Sequence, residues 1–227
     1  MSLRAGMDLP LSPDQAHYLT RVMRADEFLA FHCGAEFLCS IIAKNVRTGK
    51  LKAKVISKTK HLDPSGTWTM YFAPIKRIDD LVSAIVQMGA GRLAPVITER
   101  TVVRNVNWER VKRVIIEAAE QSGRNSLPEL APPVQFGDVD WNGVVFGDER
   151  VVQAGTEFSR ALRGHYDPVG PRLRGDDISL MVGPEGGFSD AEFMALDTAD
   201  AIGIGLGPTI LRAEVAAVAL IARTVNT

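Results

Sequence analysis

The sequence has few cysteines, no long apolar run and almost no net charge, and each of these absences excludes a class of protein. Its 227 residues include only Cys33 and Cys39, too few for a disulfide framework and without the spacing of a zinc site. The four histidines form no metal-ligand pattern, so no metal is expected. No stretch of about 18 apolar residues predicts a membrane-spanning helix, and residues 1–4 do not begin an apolar leader. We therefore expect a cytoplasmic globular protein with reduced thiols.

The charge is unevenly distributed, although the 26 Lys and Arg residues nearly balance the 27 Asp and Glu residues. Residues 1–68 carry a net charge of +4 and residues 69–227 a net charge of −5. A basic first part is compatible with binding to a polyanion such as RNA, and equally with an ordinary solvated basic surface.

The first 67 residues are predicted to be mostly β-strands. Residues 51–55 alternate apolar and basic side chains, which is the period of a half-buried strand, and residues 36–42 form a second candidate. A short helix is predicted over residues 13–24, with Ser12 as its N-cap and Pro13 in its first turn. Residues 61–67, which include a proline and a glycine, are typical of a linker. These features predict a small barrel-like module of a size that often binds RNA.

Strands and helices alternate in the rest of the chain, over residues 68–227. The predicted strands are 68–74, 93–97, 144–146, 178–182 and 201–206, and the predicted helices are 78–88, 108–122, 189–196 and 210–225. This alternation predicts an α/β domain with a largely parallel sheet.

A glycine-rich loop, Gly183–Phe188, follows the apolar strand 178–182 directly. Ligands of open α/β sheets bind at this end of the strands, and glycine lets a ligand approach the backbone closely. Ser189 and Glu192 form a capping box for the next helix, and Phe188 and Phe193 flank it as a hydrophobic staple. The alternative is a tight turn that binds no ligand.

A second glycine-bearing loop, Ile204–Arg212, lies near the C-terminus. Gly203, just before it, and its own Gly205 and Gly207 have the spacing G-x-G-x-G, followed at once by Pro208, and not the G-x-G-x-x-G of a dinucleotide site. A nicotinamide-dependent oxidoreductase is therefore disfavoured.

Taken together, the two loops resemble the C-terminal motifs of the SPOUT methyltransferases, specifically those of the RsmE family of 16S ribosomal RNA uracil-N3 methyltransferases. Three further stretches carry the resemblance, namely Glu99-Arg100, residues 116–124, and residues 16–24 with Ala16-His17-Tyr18-Leu19. It thus extends over nearly the whole chain. Departures from the family are Val215 in place of the usual threonine, short segments at 24–27 and 31–37, and the absence of the first barrel strand.

The resemblance implies a fold, a cofactor and partners. The fold would be an N-terminal PUA-like β-barrel over residues 1–67 and a SPOUT domain with a deep trefoil knot over residues 68–227. The cofactor would be S-adenosylmethionine, bound in the knot largely through backbone groups. The protein would act as a homodimer on one uridine of 16S ribosomal RNA in the small ribosomal subunit.

The resemblance also implies roles for individual residues. The cofactor would be bound by Val182, Gly183, Pro184, Glu185, Gly186, Gly187, Leu206, Gly207, Ile210 and Leu211. Arg124 and Arg212 would orient the uracil and stabilise its developing charge, while Glu185 or Glu214 would assist removal of its proton. Phosphates would be contacted by His17, Arg21, Arg24, Lys52, Lys54 and Arg100.

Alternatives remain open for two of these residues and for the reaction. Arg124 is also placed to form an ion pair with Glu120, one helical turn before it, and Glu214 is also compatible with a solvated helix face. A SPOUT enzyme that methylates a ribose hydroxyl is a second interpretation, although such enzymes usually carry serine or asparagine in the last motif. A non-catalytic RNA-binding assembly factor is a third, and the two intact glycine loops argue against it.

Overall fold

A computed structural model describes residues 3–32, 35–45, 50–62, 68–150 and 178–225. The chain divides into two compact units, Met1–Pro64 with Gly123–Leu127, and Ser65–Ser122 with Pro128–Thr227. We refer to them as the small unit and the large unit. Within the described ranges, no helix has the length and apolar character needed to cross a membrane.

The small unit is built on a four-stranded antiparallel sheet. Its strands are β1 (Asp8–Pro10), β2 (Glu27–His32), β3 (Ala35–Asn45) and β4 (Lys50–Leu62), in the order β1-β4-β3-β2. Helix α1 (Pro13–His17) is preceded by its N-cap Ser12, whose hydroxyl accepts the Gln15 N–H in a capping box. The helix continues as a π-helix over Tyr18–Met23. Cys39 is fully buried on β3, and burial raises the pKa of its thiol.

The large unit alternates strands and helices as predicted. Its strands are β5 (Thr69–Phe72), β6 (Arg92–Ile97), β7 (Glu129–Leu130), β8 (Val134–Gln135), β9 (Val145–Gly147), β10 (Ser179–Val182) and β11 (Ile202–Ile204). Its helices are α2 (Ile78–Gln87), α3 (Trp108–Gln121), α4 (Asp190–Thr198) and α5 (Ala213–Thr224), with a 3₁₀ turn at Phe136–Asp138.

All strand pairs described in the large unit are parallel. The sheet order is β11-β9-β10-β5-β6-β7, with β8 also pairing with β6. Side chains alternate between its two faces, so Leu180 and Val182 of β10 join the core under α2, α3 and α5, whereas Met181 joins the core under α4. The prediction of an α/β fold with a parallel sheet is therefore confirmed, and the carboxyl ends of β9, β10 and β5 lie side by side.

Differences from the predicted elements lie at short or irregular segments. The last helix begins at Ala213, three residues after the predicted start at Ile210. The helix predicted over residues 13–24 is a short α-helix followed by a π-helix. Within the predicted linker, residues 61 and 62 belong to β4, and residues 63–67 lie outside the described residues, as does Cys33.

Candidate functional site

A cavity of about 270 Å³ lies at the carboxyl ends of the central strands of the large unit. Its walls come from three segments of the chain, each following a strand: residues 147–149 after β9, residues 182–188 at the end of β10, and residues 206–216 after β11. Buried residues such as Val182, Phe188 and Ala213 form its floor, whereas Glu185, Ile210 and Arg212 lie at its rim. Its floor is apolar and its rim carries charged groups beside Ile210, and a mostly apolar lining with a few polar groups is usual for small-molecule sites.

The loop after β10 is fixed at both ends. On its C-terminal side, the Ser189 hydroxyl accepts the Glu192 N–H at 3.3 Å and the Glu192 carboxylate accepts the Ser189 N–H at 2.9 Å, which confirms the predicted capping box. The rings of Phe188 and Phe193 lie 5.5 Å apart, as the predicted staple requires. The other oxygen of Glu192 accepts the Glu99 N–H at 2.8 Å, so this buried carboxylate also connects the loop to the end of β6.

A side chain would be crowded at two glycines of this loop. A Cβ atom at Gly183 would lie 3.1 Å from the ring of Phe188. Gly187 has φ +69°, and a Cβ there would lie 2.9 Å from the carboxyl carbon of Glu149. The loop therefore brings its backbone directly against the cavity, where a ligand reaches N–H and C=O groups.

Neighbouring segments hold the loop from outside. The Arg100 guanidinium donates to the carbonyl oxygen of Gly186 at 3.0 Å, and the Lys76 N–H donates to Glu185 Oε1 at 3.2 Å. The sequence predicts Arg100 as a phosphate ligand. Its side chain is exposed, so a bridging role between this loop and an anion is compatible with the geometry.

The structure brings together most of the residues predicted to bind a cofactor. Val182, Gly183, Pro184, Glu185, Gly187, Leu206, Ile210 and Leu211 line the cavity, together with Arg212 from the predicted catalytic set. Gly186 and Gly207 lie in the same two loops without lining the cavity.

The other two predicted catalytic residues, Glu214 and Arg124, are not among the residues that line the cavity. Glu214 forms an ion pair with Arg77 at 3.1 Å and does not line the cavity. Arg124 is 7% exposed and belongs to the small unit. Its alternative partner Glu120 forms no ion pair among the residues that the structure describes. Burial, and to a smaller extent the nearby negative charge of Glu117, raises the pKa of Glu120.

The basic residues predicted to contact RNA in the small unit are accessible to solvent. Lys52 is exposed and Lys54 half-buried on β4, between the buried Leu51, Ala53 and Val55. This pattern confirms the predicted alternation. His17, Arg21 and Arg24 are exposed on and after the helical segment. Their contacts with RNA stay predictions.

Sequence reasoning missed a third wall of the cavity, formed by Gly147, Asp148 and Glu149. In the sequence these residues look like an ordinary charged turn. Only the parallel pairing of β9 with β10 places them opposite the glycine loop. Thr209, Ala213 and Ala216 also line the cavity and carry no signal of their own in the sequence.

Fold and cavity together agree with the comparison to known families. The family described as "RNA methyltransferase domain" matches residues 63–225, which is more than half of the chain and includes the three segments around the cavity. The chain belongs to this RNA methyltransferase family.

Similarity to individual proteins narrows the assignment. The chain is 33% identical to the ribosomal RNA small subunit methyltransferase E of Rickettsia conorii, over 93% of this chain and 86% of that protein. It is 28% identical to the protein of the same name from Bacillus subtilis, over 91% and 85% of the two chains. Within the RNA methyltransferases, the chain is thus a member of the ribosomal RNA small subunit methyltransferase E family.

A solved structure has the same fold. The ribosomal RNA small subunit methyltransferase E of Neisseria gonorrhoeae, bound to S-adenosyl methionine, superposes with a TM-score of 0.80. The superposition covers 98% of this chain and 92% of that one, at 24% sequence identity. The fold is therefore shared along nearly the whole length of both chains.

Proposed function

We propose that the protein transfers a methyl group from S-adenosylmethionine to N3 of a uridine in the 16S RNA of the small ribosomal subunit. The observation that carries this proposal is the cavity between the Gly183–Phe188 loop and residues 206–212. Both segments carry motifs by which the sequence resembles its family. The names of the relatives support the RNA target, and the Neisseria structure supports the cofactor.

The residues of the cavity fit this cofactor. The apolar floor, with Val182, Leu206 and Leu211, suits the faces of an adenine ring. Gly183 and Gly187 expose backbone groups at positions where a side chain would be crowded, and these groups suit the hydrogen-bonding edge of the base. When bound, S-adenosylmethionine supplies an electrophilic methyl group on a positively charged sulfur.

The chemistry at uracil requires removal of a proton. N3 of neutral uracil carries a weakly acidic proton and is a poor nucleophile, so the site must accept that proton and stabilise the negative charge on O2 and O4. Arg212 lies at the rim of the cavity, and its planar, permanently charged guanidinium suits this task. The resemblance to the family implies the same role for Arg124. N3 lies on the pairing edge, so the uridine must be unpaired when it reacts.

Glu185 is better placed than Glu214 to accept the proton. Its carboxylate is exposed in the wall of the cavity, with one oxygen engaged by the Lys76 N–H. Glu214 lies outside the cavity, and its carboxylate is neutralised by Arg77. We therefore assign proton removal to Glu185, and to Glu214 the positioning of Arg77.

Other features of the family complete the proposal. Residues 1–67 would form a PUA-like barrel whose Lys52, Lys54, His17, Arg21 and Arg24 bind phosphates, and residues 68–227 would form a SPOUT domain with a trefoil knot. The antiparallel sheet with exposed basic residues supports the first part. The parallel sheet, with its cavity between adjacent loops, supports the second. The active form would be a cytoplasmic homodimer.

The direct test uses small ribosomal subunits that lack this modification. The protein is incubated with them and with methyl-labelled S-adenosylmethionine, and the RNA is digested to nucleosides and separated. Label in N3-methyluridine is expected. Label in a 2′-O-methyl nucleoside would contradict the proposal and favour ribose methylation. Cofactor binding with no label in small-subunit RNA would favour an RNA-binding assembly factor.

A further inference from the structure

Glu149 is a carboxylate in the cavity wall that the proposed reaction does not use. It lies two residues after β9, and β9 pairs in parallel with β10 through Val145 with Leu180 and Phe146 with Met181. The loops that follow these two strands therefore leave the sheet at the same edge. Glu149 and the Gly183–Phe188 loop line the same cavity from its two sides.

The carboxylate of Glu149 faces the backbone of Gly187. A Cβ atom at Gly187 would lie 2.9 Å from the carboxyl carbon and 3.0 Å from Oε2 of Glu149. The space that a side chain would occupy at this position is thus taken by a negatively charged group. Gly187 also has φ +69°, which side chains rarely adopt. Its lack of a side chain is therefore what lets this carboxylate lie beside the loop.

The residues on either side of Glu149 are firmly held. The Asp148 N–H donates to the carbonyl oxygen of Ile204 at 2.9 Å. The buried Asp148 carboxylate accepts three hydrogen bonds from the Arg150 guanidinium, at 3.0, 3.2 and 2.7 Å. The same guanidinium binds Asp197 of α4 at 2.9 Å and lies 4.1 Å from the centre of the Phe193 ring. This network fixes the backbone at residues 148 and 150, so Glu149 has a defined position in the cavity wall.

Glu149 differs from the other carboxylates around it. Asp148 and Asp197 are compensated by Arg150, and Glu185 accepts a backbone N–H. Glu149, by contrast, forms no ion pair and accepts no hydrogen bond among the residues that the structure describes. A half-buried carboxylate next to an apolar cavity floor is stabilised by a ligand that donates hydrogen bonds to it.

We propose that Glu149 binds the ribose of the cofactor, by accepting hydrogen bonds from its two adjacent hydroxyl groups. The two oxygens of one carboxylate match a pair of neighbouring donors, and an acidic residue serves the same purpose in dinucleotide-binding folds. The ammonium of the methionyl part is the other donor group of this cofactor. Removing an ammonium from water is more costly than removing hydroxyls, so the ammonium suits the exposed rim of the cavity. This inference rests on S-adenosylmethionine being the cofactor.

Calorimetric titration of the full-length protein tests this interaction without measuring turnover. The ligands are S-adenosylhomocysteine and its 2′-deoxy and 3′-deoxy forms, and the proteins are the wild type, Glu149→Gln and the control Glu27→Gln, which neutralises an exposed carboxylate on β2. We expect Glu149→Gln to weaken binding of S-adenosylhomocysteine about tenfold or more. The deoxy ligands should bind the wild type more weakly than S-adenosylhomocysteine does. For Glu149→Gln, the affinities of the three ligands should differ little, and Glu27→Gln should match the wild type with every ligand.

The deoxy ligands probe the interaction without altering the protein, so the proposal stays testable even if Glu149→Gln folds poorly. Equal binding of all three ligands to the wild type would overturn the ribose assignment and leave the proposed function intact. As a second probe, 5′-methylthioadenosine keeps the ribose and lacks the ammonium. Equal binding of this compound to the wild type and Glu149→Gln, with a difference only for S-adenosylhomocysteine, would overturn the ribose assignment in favour of the ammonium. A wild type that binds neither S-adenosylhomocysteine nor S-adenosylmethionine would overturn the cofactor assignment itself.

Discussion

The two sheets of the molecule carry their functional residues in different places. The parallel sheet of the large unit is covered by helices on one face and by α4 and residues 136–141 on the other. Its side chains are therefore used for packing, and its polar chemistry lies in the loops at the strand ends. The antiparallel sheet of the small unit buries Leu51, Ala53 and Val55 on β4 and leaves Lys52 exposed between them. A sheet that is buried on both faces can bind ligands only at the ends of its strands, whereas a sheet with one solvated face can also bind a ligand on that face.

The largest effect is expected for a substitution at the strand ends of the large unit, which tests whether Arg212 stabilises charge there. Replacing Arg212 with alanine removes a cation from the rim of the cavity while the backbone carbonyl of residue 212, which accepts the Ala216 N–H at 2.8 Å, stays in place. We expect kcat to fall about 100- to 1000-fold, as for the loss of one group that stabilises a developing anion. Cofactor affinity should be unchanged by calorimetry. Arg113→Ala, at an exposed position of α3, is the control.

Unchanged turnover in Arg212→Ala would count against charge stabilisation at the strand ends. If cofactor affinity fell together with turnover, Arg212 would instead be assigned to binding the cofactor and not the uracil.

The second prediction concerns how the glycine loop is anchored to the parallel sheet. Glu192 is 6% exposed, and its two oxygens accept the N–H groups of Ser189 and Glu99. Glu192→Gln replaces one acceptor with a donor, which leaves one of these N–H groups unsatisfied. We expect the free energy of unfolding to fall by about 1–3 kcal/mol, measured by urea denaturation. Asp190→Asn, at an exposed position in the same helical turn, should cost about 0.3–1 kcal/mol.

Equal losses for these two variants would show that the bridge from Glu192 to the end of β6 adds no stability. The glycine loop would then be held by its staple, its strand and the hydrogen bonds from Arg100 and Lys76.

The large unit is more predictable from the sequence than the small one, and the reason is burial. Strands buried on both faces appear as apolar runs, so the sequence locates β5, β6, β9 and β10. Strands β7 and β8 have two residues each, too few to show any periodicity. Apolar character assigns Ile210 and Leu211 to the last helix, but they belong to the loop that lines the cavity. Apolar character therefore does not distinguish a residue that packs in a helix from one that lines a ligand cavity.

The candidate site is predictable only as far as its motifs extend. Two glycine loops close to the C-terminus are recognisable in the sequence, and the structure brings them together around one cavity. The wall at Glu149 depends on strand order, because β9 becomes a neighbour of β10 through pairing and not through sequence. No local pattern carries that information.

The third prediction tests the exposed face of the antiparallel sheet. The double variant Lys52→Ala/Lys54→Ala should weaken binding to a fragment of small-subunit RNA, because both side chains are accessible on β4. The slope of log affinity against log salt concentration should fall by about 0.7 for each phosphate of single-stranded RNA that the variant no longer neutralises. Filter binding at several salt concentrations measures both effects. Lys112→Ala/Arg113→Ala removes the same charge from α3 and serves as the control.

A slope that stays the same in Lys52→Ala/Lys54→Ala would mean that this face does not bind the RNA backbone. An equal change in the control would mean that RNA responds to total charge and not to this sheet.

The smallest expected effect concerns the link between the loop after β9 and helix α4. A hydrogen bond from Arg150 lowers the pKa of Asp197 in the folded protein. A carboxylate whose pKa is lowered by folding stabilises the fold above its ordinary pKa of about 3.9 and loses that contribution as the pH falls through the folded value. The stability advantage of the wild type over Asp197→Asn should therefore be present at pH 7 and shrink as the pH falls below about 4. Asp197 is more than half exposed, so we expect the advantage at pH 7 to be at most about 1 kcal/mol.

Urea denaturation of both proteins between pH 7 and pH 3 measures this difference. If the difference in free energy of unfolding between the two proteins does not change with pH, the stabilisation comes from the geometry of the hydrogen bond and not from the charge of Asp197. The buried Asp148 keeps Arg150 in place in the variant, at 2.7 Å from its guanidinium. The position of Glu149 in the cavity wall should therefore be retained, and cofactor affinity at pH 7 should equal that of the wild type. A loss of affinity would show that the link to α4, and not the pairing of β9 with β10 alone, sets this wall of the site.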